Sequence, residues 1–166
     1  MNRITSNLLL WTVVLAMLVL SACRPEDPGN EEEEIDTVEL VFANGPTVTW
    51  SVKDTDNPTI TLDANTTYTV EAAFRNDEEG EDVTAEVREE DDEHLVCFEV
   101  TSGNVTIEAT DSDGTFPVGL SSDWTTGAAS SGMVILTLRH QPDGEKDGTC
   151  TPGDTDVEVT FNIEIQ

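Results

Sequence analysis

The sequence predicts an all-β protein: a single antiparallel β-sandwich of the immunoglobulin-like kind with about nine strands. Two observations point there. From Ile35 onward apolar residues recur at every second position in short runs, the spacing of a strand with one buried face. The runs are separated by turn-forming clusters such as Asn44-Gly45-Pro46 and Ser102-Gly103-Asn104. Thr and Val are abundant within the runs, as β propensity favours.

The elements follow in order. Val38, Leu40 and Phe42 share one face of a first strand, and Val48, Trp50 and Val52 share one face of a second, which places Trp50 in the core. Ile60 and Leu62 mark a third strand, and Tyr68, Val70, Ala72 and Phe74 a longer fourth. Residues 77–93 then break the alternation with eleven acids and one base, Arg88. Within that interval Val83 and Val87 stand four apart behind Asp82, which suits a short helix in 82–92 lying over an end of the sandwich. Strands resume with Val96, Phe98 and Val100, then Val105, Ile107 and Ala109, then Phe116, Val118 and Leu120. Pro117 cannot donate to a ladder, so this last strand is expected at an edge. Val134, Leu136 and Leu138 follow, and the alternation is cleanest in Val157, Val159, Phe161, Ile163 and Ile165.

Ahead of this domain lies a different kind of sequence. Arg3 precedes an apolar run from Leu8 to Leu20, too short for a spanning helix, and Leu20-Ser21-Ala22-Cys23 resembles a bacterial lipobox. The domain plan is therefore a signal peptide at 1–22, a lipidated Cys23 with an acidic tether over 23–35, and the sandwich over 36–166. Acyl chains on Cys23 (palmitate among them) would anchor the protein to the membrane, with no spanning segment. The tether holds two prolines and the run Glu31 to Glu34; self-repulsion keeps such a segment extended. An acidic cluster just after the lipidated Cys also resembles the surface-export signal of Bacteroidetes lipoproteins. The expected location is the outer membrane, lipid-anchored and facing the cell surface.

Charge excludes some partners. Removing the leader takes away Arg3 and no acid, so the formal charge moves from −28 to −29. A field of that sign repels nucleic acid and anionic headgroups and attracts cations and basic protein surfaces. Of the three Cys, the lipid would consume Cys23, leaving Cys97 and Cys150 as an even pair in an oxidising compartment, a candidate disulfide.

The residues with most chemical potential are two histidines. If 94–101, 104–110, 115–121 and 132–140 run alternately up and down, His94 and His140 end at the same rim, both in phase with the core face. Asp91, Asp92 and Glu93 immediately precede His94. Imidazoles with nearby carboxylates form transition-metal sites, so Asp92, Glu93, His94 and His140 are the candidate ligands for a divalent metal such as zinc. The alternative is that each His holds a loop carbonyl or pairs with a neighbouring acid. Calcium is a second possibility: Asp111 and Asp113, Asp54 and Asp56, and Asp154 and Asp156 each place carboxylates two apart in loops. Trp124, in the polar run Ser121 to Gly127, is the candidate for an exposed aromatic that stacks on a sugar. There is no Gly-x-Ser-x-Gly elbow, phosphate-cradling Gly loop or nicotinamide fingerprint, so an enzyme is not expected.

Several blocks together resemble a known family. They are the lipobox and Glu-rich tether, Leu62-Asp-Ala-Asn-Thr-Thr-Tyr68, Glu90-Asp-Asp-Glu-His94, Leu136-Thr-Leu-Arg-His140-Gln-Pro and Asp156-Val-Glu-Val-Thr-Phe161. In these the chain is similar, over nearly its whole length, to Bacteroidetes lipoproteins labelled type 1 periplasmic binding fold superfamily proteins. The fold in that label needs alternating strands and helices in two lobes, whereas this chain reads as strands almost throughout. The family's Asp-x-Asp-Gly loop is matched at Asp111 to Gly114, while Asp54 to Asn57 lacks the Gly. The resemblance implies an association with TonB-dependent receptors, and the expected role is a ligand- or partner-binding accessory module, metal-linked through the histidine rim, that serves such a receptor. The alternative is a structural or adhesive surface protein with no small-molecule site.

Overall fold

The computed structural model describes residues 34–166. The expected signal peptide, the candidate lipidation residue Cys23 and the expected tether through Glu33 lie outside the described residues. Two sheets pack face to face. The first has the order β2-β1-β4-β7-β6 and the second β3-β9-β8-β5. The strands are β1 (Thr37–Phe42), β2 (Thr47–Ser51), β3 (Thr59–Leu62), β4 (Thr67–Arg75), β5 (His94–Ser102), β6 (Val105–Ala109), β7 (Ser121–Thr126), β8 (Ser130–His140) and β9 (Asp154–Ile165). One short helix, α1 (Val83–Glu89), follows β4 and buries Val83 and Val87, as their spacing predicts.

The alternation in sequence becomes the alternation in burial. Leu40, Val70, Phe74, Val134, Leu136, Leu138 and Phe161 are fully buried between the sheets. Every strand pair is antiparallel except β3 with β9, which run parallel through Ile60↔Ile163. The wholly antiparallel expectation thus gives way at this pair. The chain crosses from one sheet to the other around β3, so β3 reaches β9 from outside and not through a hairpin.

Three other expectations are corrected. No strand forms over 116–120; the strand is β7, beginning at Ser121. Pro117 has no N–H and Gly119 takes φ 81°, so the segment cannot hold a regular ladder. It bridges the sheets instead: the Val118 carbonyl accepts from Val96 N at 2.7 Å on the edge of β5, and Leu120 O accepts from Ala72 N at 2.8 Å on β4. A Cβ on Gly119 would lie 2.4 Å from the Val96 carbonyl, so glycine is required where the backbones approach. Trp124 is not exposed. It is fully buried, edge-on to Phe42 and Phe98 at ring distances of 5.2 and 5.4 Å, and its Nε1 donates to Ser122 Oγ at 3.0 Å. Trp50, expected in the core, is only half-buried because β2 is an edge strand, and Val52 beyond its end is 59% exposed.

Candidate metal centre

β5 and β8 are adjacent and antiparallel, and their register sets His94 directly opposite His140 at the rim. Both side chains lie in phase with the inner face, so both are drawn inward, His94 to 0% and His140 to 5% exposure. The rings stack at 4.7 Å between centroids, with planes 5° apart. The rim pair expected from strand parity is therefore present, although the intervening strand is 121–126 and not 115–121.

Carboxylates surround the pair. Glu90, in the turn after α1, places its backbone oxygen 3.2 Å from His94 Nδ1 and its Oε2 3.9 Å from the same nitrogen. A carbonyl only accepts, so Nδ1 carries the proton in this arrangement and Nε2 bears the lone pair. Nε2 faces the Asp156 carboxylate at 3.9 Å, and neither side chain has any exposure. His140 Nε2 lies 3.7 Å from Glu93 Oε2. Burial pushes the His94 imidazole down to about 4, against the opposing pull of the Glu90 carbonyl, and the nearby His140 and Lys146 lower it further. The Glu90 carboxyl is pushed up, first by burial and then by Glu86 and Glu93.

Among the described residues, one group of His, Cys, Asp and Glu has ligand atoms that all fall within 4.8 Å of one another: Glu90, His94 and His140. Glu93 remains close to His140, whereas Asp92 is exposed and outside the cluster, its charge being among those that push the Glu90 carboxyl up. The carboxylate that sequence reasoning missed is Glu90. Its signal was available, because it stands four residues before His94, where a turn following a helix brings i and i+4 together.

A loop seals this end. Residues 141–153 fold back on the start of β5 and are fastened there in several ways. Cys97 and Cys150 form the expected disulfide, with Cα atoms 6.0 Å apart. Gln141 N donates to Glu93 O at 2.6 Å, and its buried side-chain amide donates to Thr149 O and Pro152 O at 2.9 and 3.1 Å. The Arg139 guanidinium donates to the carbonyls of Thr151, Pro152 and Gly153. Lys146 donates to the Asp91 carbonyl and pairs with Asp113.

Three of the calcium candidates, Asp54, Asp111 and Asp113, are engaged by N–H donors. Asp111 accepts from Gly119 N and Ser121 N at 2.7 and 3.0 Å. Asp113 accepts from Thr115 N and Phe116 N at 2.7 and 2.8 Å as well as from Lys146. Oxygens aimed at donors hold the 111–121 loop and do not converge on a cation. Asp54 likewise accepts from Ser51 N at 2.8 Å and closes a turn.

No family model matches the chain, and no curated protein does. Among solved structures, domains 4 and 5 of the S-layer protein SbsC are similar at 12% identity and a TM-score of 0.33, covering 79% of this chain. The chain spans 65% of that structure's length. A TM-score that low carries no functional argument.

Proposed function

We propose that this chain is a lipid-anchored envelope protein whose β-sandwich is a binding module with a zinc-class site at its rim. The observation that carries this reading is the register pairing of His94 with His140 beside Glu90. Two imidazoles and a carboxylate suit zinc; calcium prefers an all-oxygen shell. Three protein ligands leave a fourth coordination position, and a side chain from a partner would complete it. The partner class favoured by the family resemblance is an outer-membrane receptor of the TonB-dependent type. The Leu20 to Cys23 motif and the acidic tether support an outer-membrane, surface-facing anchor, and the disulfide agrees with export. The role is binding and not catalysis.

The parallel stacking of the rings favours a second reading, in which the pair is a structural latch of a surface module. In-plane lone pairs of parallel rings run side by side, so zinc must splay the imidazoles before both can reach it. Zinc titration of the purified full chain decides between the two. The metal reading expects saturable binding of a single zinc at micromolar concentration, lost in His140→Ala. Absence of binding at that concentration leaves the latch.

A further inference from the structure

We infer that Asp156 is the positioning residue that holds His94 as a metal ligand through its Nδ1 atom. The inference rests on the zinc reading above and adds a carboxylate that lies outside the Glu90–His94–His140 group.

The placement of Asp156 is unusual for its position in β9. Alternation with Val157, Val159 and Phe161 on the inner face would send it outward alongside Glu158 and Thr160. The β8–β9 ladder, however, pairs Leu138 with Val157 and Arg139 with Thr155, so Asp156 is the extra residue of a β-bulge. The bulge turns its side chain inside, where its exposure falls to 0% and Oδ2 comes to 3.9 Å from His94 Nε2. Burying a carboxylate costs free energy that a hydrophobic residue at this place would not. His94 Nε2 makes no hydrogen bond to the described residues, so a fully buried imidazole nitrogen is aimed at that carboxylate.

The two faces of the ring then have separate tasks. In the metal-free arrangement Nδ1–H donates to the Glu90 carbonyl, and the Nε2 lone pair faces Asp156. Zinc is expected on the Nδ1 side, because that nitrogen is the one beside the Glu90 carboxylate. Coordination there requires Nδ1 to give up its proton to solvent and Nε2 to take one up, so the ring stays neutral and changes tautomer. The new Nε2–H donates to Asp156, which needs Nε2 and Oδ2 to close from 3.9 Å to about 3 Å. That small rotation is of the kind the stacked rings need in order to splay. A carboxylate receiving the far N–H of a ligating histidine fixes the tautomer and makes the ring a better donor.

The experiment uses the full chain in detergent, wild type and Asp156→Asn, with zinc affinity by competition titration and the His94 tautomer by long-range nitrogen–proton NMR. Expected are a zinc affinity about 10–100-fold lower in Asp156→Asn, and Nε2–H with coordinated Nδ1 in zinc-loaded wild type. Should Asp156→Asn fail to fold, the wild-type tautomer decides alone. Coordination through Nε2 overturns the inference, as does unchanged affinity in a folded Asp156→Asn, and in either case the zinc site itself stands. A wild-type chain that takes up no zinc overturns both.

Discussion

Lys146 Nζ lies 2.9 Å from Asp113 Oδ2, with only 2% and 7% of the two side chains exposed. The pair joins the sealing loop to the 111–121 loop, and the Lys146 bond to the Asp91 carbonyl adds the turn before β5. Three irregular segments therefore meet at one ammonium group. Removing one partner leaves the other charge buried, which costs more than the pair contributes. The Lys146→Ala/Asp113→Ala double variant should lower the melting temperature by less than the sum of the two single variants, because removing both partners leaves no buried charge behind. Thermal denaturation of both single variants and the double variant measures that coupling.

The same aspartate gives an acid signature. The Phe116 amide, with the Lys146 ammonium and the Thr115 amide, holds the Asp113 carboxyl at about 2, below its ordinary 3.8. A depressed folded-state value means that the contribution is complete above about pH 4 and is lost as pH falls towards 2. Urea denaturation across that window should show a steeper fall in wild type than in Asp113→Asn. Parallel curves would refute the assignment.

His94 acts in a higher window. Its imidazole titrates near 4 when folded and near 6.5 when unfolded, so between those values the unfolded chain binds more protons. Stability should therefore drop on acidification from about pH 6.5 to 4 and then lose that slope. In His94→Gln the baseline stability should be lower, but this component of the pH dependence should vanish.

Cys97 and Cys150 are 53 residues apart in sequence, and closing such a loop stabilises by about 4 kcal/mol on the chain-entropy estimate. The Cys97→Ser/Cys150→Ser variant should lose stability of that order in denaturant titrations. A loss well under 1 kcal/mol would mean that Arg139, Gln141 and Lys146 hold the loop by themselves.

Trp124→Ala should cost about 3–5 kcal/mol, the range for deleting a large aromatic from a core. A near-neutral result in chemical denaturation would contradict its place between Phe42 and Phe98.

On the proposed lipid anchor, Cys23→Ser should lower the share of the protein found in washed membranes, because the acyl chains would be attached at that residue. Persistence in washed membranes would count against the lipid anchor.

Most of the sandwich was legible because Val, Leu, Ile and Phe declare period two directly. β7 was not, because its inward positions are Ser122, Trp124 and Thr126, and two polar residues hid the alternation. Val118 and Leu120 imitated a strand for the opposite reason: both are buried, yet Pro117 and Gly119 make them part of a bridge. The histidine pair could be foreseen from strand parity alone, and the disulfide from the two Cys left over. Asp156 could not, since a bulge is a mismatch between two strands and leaves no mark on either one. Nor could Lys146: a single base in an acidic loop looks solvated until its partners are placed around it.

β9 sits between β3 and β8 in the second sheet, and in its parallel pairing with β3 Thr59 stands opposite Asn162, more than a hundred residues later in the sequence. Until β9 has been made, β3 has no neighbour in its sheet and β8 has only one. Closing so wide a span is slow in conformational search. The second sheet therefore cannot be assembled strand by strand during synthesis: β3 waits unpaired in its sheet until β9 is available to join it to β8.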